Sequence, residues 1–173
     1  MVNTSICLID LGKREVGDET ASKAALREAQ EEIGINPEKI QVITELEPTY
    51  SRSGFLVYPV ICALHVLRFA SFTELVEENK LRPNAEVSEI FACPLRFFLE
   101  KQHHSTRLIE WMQQSYLVHE ILYKRWLIWA MTANILIHVS SIAFARAPLF
   151  PFDYERFKRP PPKLLLQLKH HKL

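Results

Sequence analysis

Glu28, Glu31 and Glu32 stand at i, i+3 and i+4, so in a helix their carboxylates project from one side within a single turn. Like charges at that spacing repel, and the interleaved Ala29 and Gln30 are neutral, with Arg27 the only adjacent cation. A divalent cation would cancel the repulsion. Carboxylate oxygens that leave coordination positions open for water and phosphate suit Mg2+ or Mn2+ rather than zinc. The reading set against this one is a solvated acidic helix face.

The elements that must position these acids are marked by glycines. Only four occur, Gly12, Gly17, Gly34 and Gly54, and three of them bracket residues 12–34. Gly12 to Asp18 reads as a flexible loop, Asp18 or Thr20 as the cap of a helix over Ala21 to Ile33, and Gly34 as its stop. Beyond Asn36-Pro37, the β-branched and aromatic runs Lys39 to Leu46 and Phe55 to Phe69 predict two strands, a hairpin joined by the Pro48 to Gly54 loop. Glu74 to Glu89 is acidic and loop-like. Ile90 to Leu95 predicts a short strand, entering a helix around Leu95 to Lys101.

The most apolar stretch, Trp126 to Ala145, has the length of a membrane span. Thr132, Asn134, His138, Ser140 and Ser141 are many polar groups for lipid, so a buried helix covering a sheet is the better account, with no stable membrane insertion. Pro148, Pro151 and Pro160 to Pro162 argue against helix further on. The basic segment after Tyr154 ends His170-His171-Lys172-Leu173.

Composition bounds the class. The 173 residues are 48% hydrophobic and 24% charged, which excludes a disordered chain, a collagen-like fibre and a disulfide scaffold. A net charge of +1 provides no overall field toward nucleic acid or anionic lipid, so no nucleic-acid partner is expected. Cys7, Cys62 and Cys93 contain no Cys-x-x-Cys pair, and Cys62 and Cys93 read as core packing. The adjacent pairs His103-His104 and His170-His171 read as solvated rather than as metal ligands.

The full string is Gly12, six residues, Glu19, seven residues, then Arg27-Glu28-Ala29-Gln30-Glu31-Glu32-Ile33-Gly34-Ile35. It resembles the Nudix box; a chance match at its six named positions is on the order of one in ten million per starting point. Six residues between the glycine and the first glutamate, where the pattern usually has five, resembles the coenzyme A diphosphatase branch. Pro83-Asn84-Ala85-Glu86-Val87 and Ile128-Trp129-Ala130-Met131-Thr132-Ala133 extend the similarity, which runs from Gly12 to Tyr154.

The resemblance implies an α+β, Nudix-type α/β/α sandwich with a mixed sheet. Residues 1–154 would form the hydrolase domain and 155–173 a basic, proline-containing tail. It also implies metal-dependent hydrolysis of the diphosphate of coenzyme A or acyl-coenzyme A, giving 3′,5′-ADP and 4′-phosphopantetheine or its acyl form. Glu28, Glu31 and Glu32 would hold Mg2+ or Mn2+, with Arg27 fixing a glutamate through a forked hydrogen bond. Glu19 would complete the box, and Glu86 or Glu89 would serve as a further ligand or base. Gly12, Lys13 and Arg14 would hold the diphosphate next to the helix start.

Family members place several strands and a coenzyme A signature ahead of the box, whereas here Asp10-Leu11 replaces its usual Pro-Gly. The expectation is therefore a domain missing its early strands. The alternative function is a catalytically impaired Nudix-like binding or regulatory protein. His171-Lys172-Leu173 resembles a peroxisomal address of the Ser-Lys-Leu type, read by an import receptor; the alternative locations are cytoplasm and mitochondrion.

Overall fold

The computed structural model describes residues 6–9, 19–51, 56–64, 81–111 and 114–155. They form two compact units, one of residues 1–48 and 57–92, the other of 49–56 and 93–173.

The first unit holds β1 (Ile6–Ile9), α1 (Ala21–Ile33), β2 (Ile40–Glu45) and β5 (Val60–Leu64). Two short strands, β3 (Thr49–Tyr50) and β4 (Leu56–Val57), pair with each other. The sheet order is β1-β5-β2, antiparallel throughout. The helix and its cap fall where the sequence places them: the Thr20 side chain accepts from the Lys23 amide at 3.2 Å. Gly34 closes the helix at φ 71°, a left-handed conformation that costs glycine nothing.

Ala25 and Ala29 are buried against Val60 and Cys62, with Ala21, Leu26, Ile40 and Val42 around them. The small alanines let α1 lie close to β5. Burial pushes the Cys62 thiol up to about 11, as suits a packing residue rather than a nucleophile.

The expected hairpin is present as the β2–β5 pair, with a register shift between Val42 and Thr44. The second expected strand is broken into β4 and β5 across Tyr58-Pro59, because proline has no amide to give the ladder. Phe55 and residues 65–69 lie outside the described residues. All the pairings of β1, β2 and β5, and of β6 to β8 below, are antiparallel. Small antiparallel sheets with two helices fit the expected α+β class.

The second unit is a meander of β6 (His104–Trp111), β7 (Gln114–Tyr123) and β8 (Trp126–Trp129), followed by α2 (Ala130–Ala143). Its core is Phe98, Ile121, Ala133, Ile137 and Phe150. Ser140, fully buried, reaches the Leu136 carbonyl at 2.6 Å and the Leu95 carbonyl at 2.8 Å, tying α2 to the 3-10 turn Leu95–Leu99.

Three expectations are corrected here. Ile90 to Leu95 is not a strand: Pro94 starts 3-10 turns over Leu95–Leu99 and Lys101–His103 in place of an α-helix. The span Trp126 to Ala145 begins as β8, because the four residues Trp126–Trp129 are captured by Tyr123 to Glu120 of β7. Helix starts only at Ala130, whose φ of 53° turns the chain out of the sheet. The 14-residue α2 is about 21 Å long. No helix among the described residues is long and apolar enough to cross a membrane. Tyr154 and Glu155 are helical despite the prolines before them.

His104 is likewise not solvated. It stacks on Phe150 with ring centroids 3.6 Å apart, and its Nε2 lies 2.8 Å from His119 Nδ1. His119 meets Phe152 edge-on at 5.3 Å, and His138 stacks on Tyr154 at 3.4 Å. Histidines from β6, β7 and α2 thus hold the alternate aromatics Phe150, Phe152 and Tyr154 of the segment after α2.

Burial, and then neighbouring His119, push His104 down to about 4; burial also lowers His119. The unfolded chain takes up protons near pH 6.5 while the folded one does not. The stabilisation is therefore complete above pH 6.5 and is lost as the pH falls toward 4. After a discount for solvent screening it amounts to about 1–2 kcal/mol. Urea unfolding followed by tryptophan emission should show that loss between pH 7 and pH 4.5, and His104→Gln should reduce it; an unchanged slope in the variant would remove His104 as the cause.

Candidate active site

The acids of α1 are arranged around Arg27. Its Nη1 lies 2.8 Å from Glu31 Oε2 and its Nη2 lies 3.7 Å from Glu28 Oε1. One guanidinium thus sits between two carboxylates of adjacent turns, offsetting the repulsion that the i, i+3 spacing creates. The Glu28 side chain is 13% exposed and that of Glu31 57%. Glu28 Oε2 is enclosed from solvent. Glu32 is half-buried on the next step of the same helix.

The start and end of α1 are each bound by a distant segment. At the start, Glu45 Oε1 at the end of β2 accepts from the Ser22 amide at 3.0 Å and from the Ser22 hydroxyl. It satisfies a first-turn amide that has no partner within the helix. Glu19 pairs with Lys23 in the open.

At the end, the Ile33 carbonyl accepts from the Arg82 amide at 3.0 Å and the Glu32 carbonyl from the Asn84 amide at 2.8 Å. Asn84 Oδ1 then accepts from the Glu86 amide at 2.9 Å. The acidic loop is therefore attached to the end of the glutamate-bearing helix, with Glu86 exposed two residues beyond the attachment.

The structure brings Arg27, Glu28 and Glu31 together and anchors the backbone of the Glu86 loop to the same helix. Among the described residues no three His, Cys, Asp or Glu side chains converge as a ready-made metal cluster. The donor set itself fits a hard divalent cation, being all carboxylate oxygen. Gly12, Lys13 and Arg14 lie outside the described residues, as do His170, His171 and the terminal Lys172-Leu173.

Two contributors escaped sequence reasoning. Glu45 is 23 residues from Ser22, and nothing local announces that contact. Asn84 carried a signal, since asparagine after proline favours side-chain-capped turns, but its carbonyl partner on α1 did not show. Cys93, raised to about 12 by burial, is no candidate nucleophile.

A helix carrying Arg-Glu-x-x-Glu-Glu, ended by a left-handed glycine and resting on an antiparallel sheet, defines the class. Residues 11–113 match the NUDIX domain, and the chain belongs to that family. Among its relatives, Nudix hydrolase 15, mitochondrial, of Arabidopsis thaliana is 36% identical over 156 residues, covering 86% of this chain and 51% of the relative. The peroxisomal coenzyme A diphosphatase of Mus musculus is 31% identical over 151 residues, covering 83% of this chain and 59% of the relative. The uncharacterized Nudix hydrolase NudL of Pectobacterium atrosepticum is 33% identical over 138 residues, 79% of this chain and 66% of the relative. The chain spans about half the length of the first two plant and animal relatives it matches.

Proposed function

We propose that the chain is a metal-dependent diphosphatase acting on coenzyme A and its acyl derivatives, releasing 3′,5′-ADP and 4′-phosphopantetheine or acyl-phosphopantetheine. The observation that carries this reading is the Arg27–Glu28–Glu31 arrangement on one helix of a NUDIX-family chain. The likeness to a relative named as a coenzyme A diphosphatase supports the substrate. In this reading residues 1–154 work as one hydrolase domain and 155–173 form a tail.

Glu28, Glu31 and Glu32 would hold Mg2+ or Mn2+, which supplies positive charge for the diphosphate and acidifies a bound water. Arg27 keeps Glu31 oriented until it is needed, because a guanidinium at 2.8 Å restricts an otherwise mobile exposed side chain. Gly12, Lys13 and Arg14 are proposed to face the diphosphate. Hydrolysis adds water across the P–O–P bridge: its oxygen bonds to one phosphorus, and the bridging oxygen leaves with the other phosphate. The proton released goes to an acid of the site, and Glu86 is the residue proposed to take it. The printed name of the same relative supports a peroxisomal location as part of this reading.

The test is incubation with coenzyme A and Mg2+ or Mn2+, scoring 3′,5′-ADP. One observation favours a second reading, a binding or regulatory protein with impaired catalysis: among the described residues no three acids already converge as a metal cluster. Mn2+ binding with no product would select that reading.

A further inference from the structure

We propose that Asn84 is a positioning residue that sets the place of Glu86 relative to the carboxylates of α1; this rests on the reading of Glu86 and the α1 glutamates as parts of one hydrolytic site. Helix ends leave carbonyls without partners inside the helix. Here the carbonyls of Ile33 and Glu32 are taken up in order by the amides of Arg82, at 3.0 Å, and Asn84, at 2.8 Å. The loop is thus fixed at the turn that carries Glu31 and Glu32, rather than at some arbitrary point of the unit.

Gly34 makes that approach possible. A Cβ on it would lie 3.2 Å from Arg82 Cβ, tighter than ordinary contact. The glycine therefore ends the helix and also leaves room for the loop at Arg82 beside it.

Asn84 is the residue at which the attachment turns into direction. Its amide donates to the helix, its side-chain Oδ1 accepts from the Glu86 amide at 2.9 Å, and its carbonyl accepts from the Val87 amide at 3.3 Å. One residue therefore grips the helix with its backbone and grips Glu86 with its side chain. Exposed loop acids ordinarily sample many positions. This one has its backbone held two hydrogen bonds away from Glu32, and misplacement by an ångström is enough to lower a proton-transfer rate severely. Alanine at 84 keeps the amide bond to the helix and loses only the bond to Glu86, whereas aspartate keeps both acceptor and turn.

The experiment combines kinetics with amide exchange. With coenzyme A and Mg2+, Asn84→Ala should lower kcat about 10-fold with KM within twofold, the mark of lost transition-state positioning. Asn84→Asp should recover most of it. Combining Asn84→Ala with Glu86→Gln should be no worse than Glu86→Gln alone, because the first acts through the second. Hydrogen exchange at the Glu86 amide should speed up in Asn84→Ala and stay slow in Asn84→Asp.

Additive kinetic losses, or wild-type kcat in Asn84→Ala, would overturn the proposal. A wild-type chain without turnover, or one indifferent to Glu31→Gln, overturns the functional reading instead. Exchange then decides the geometry separately, and fast exchange at Glu86 in the wild type rejects it.

Discussion

Glu31→Gln should lower coenzyme A turnover by about 10²–10³-fold, roughly 3–4 kcal/mol of transition-state stabilisation, while leaving the fold intact. The two halves of that expectation come from different observations. Glutamine has the size of glutamate and still offers Arg27 a carbonyl oxygen where Glu31 Oε2 now lies at 2.8 Å. The ion pair is partly exposed, Arg27 at 26% and Glu31 at 57%, and solvent-accessible pairs contribute only about 0.2–1 kcal/mol. What glutamine cannot offer is the negative charge, and a hard cation bound through carboxylates depends on it.

A loss of turnover with an unchanged unfolding midpoint would place the chemistry on α1. Glu38→Gln, an exposed acid on the 3-10 turn Pro37–Lys39, should leave turnover unchanged. Equal activity of wild type and Glu31→Gln would remove the helix from the mechanism and with it the proposed function.

The largest stability effect belongs to the other unit. Phe98→Ala should destabilise it by about 3–5 kcal/mol, since Phe98 is 2% exposed and removing a buried ring costs both transfer energy and the cavity left behind. The walls of that cavity cannot close in. Leu95 is tied to α2 through Ser140, and the Leu99 carbonyl accepts from the Leu149 amide at 2.9 Å, so the turn carrying residue 98 is held at both ends.

Leu108→Ala, on a side chain 68% exposed in the β6–β7 hairpin, should stay within about 0.5 kcal/mol. Urea midpoints followed by tryptophan emission compare the two. A cost below 1 kcal/mol for Phe98→Ala would mean that the Phe98–Ile121–Ile137 cluster is not the core of this unit.

What the order of residues alone determined is local. A cap at Asp18 or Thr20, Ala21 to Ile33 as helix, Gly34 as stop and the carboxylates on one side of it all depend on groups within one or two turns, where spacing dictates geometry; the structure chose Thr20 of the two. The β2–β5 pair was legible for a similar reason, since both segments are β-branched and bounded by turn residues. The meander was not. Polar His104, Arg107, His119 and Glu120 interrupt its alternation, and they are tolerated because Arg107 meets Glu120 at 2.7 Å and His104 meets His119 only after the strands have paired.

Trp126 to Trp129 is apolar enough for helix or strand, and periodicity cannot separate the two over four residues. The ladder to β7 decides it. The candidate site divides along the same line: the α1 acids and Arg27 are set by helical spacing. The hold of Glu45 on Ser22 and of Asn84 on Glu32 joins residues 23 and 52 positions apart. Such contacts exist only once the chain has brought separate segments together, because hydrogen-bond partners of helix ends are chosen by proximity in space.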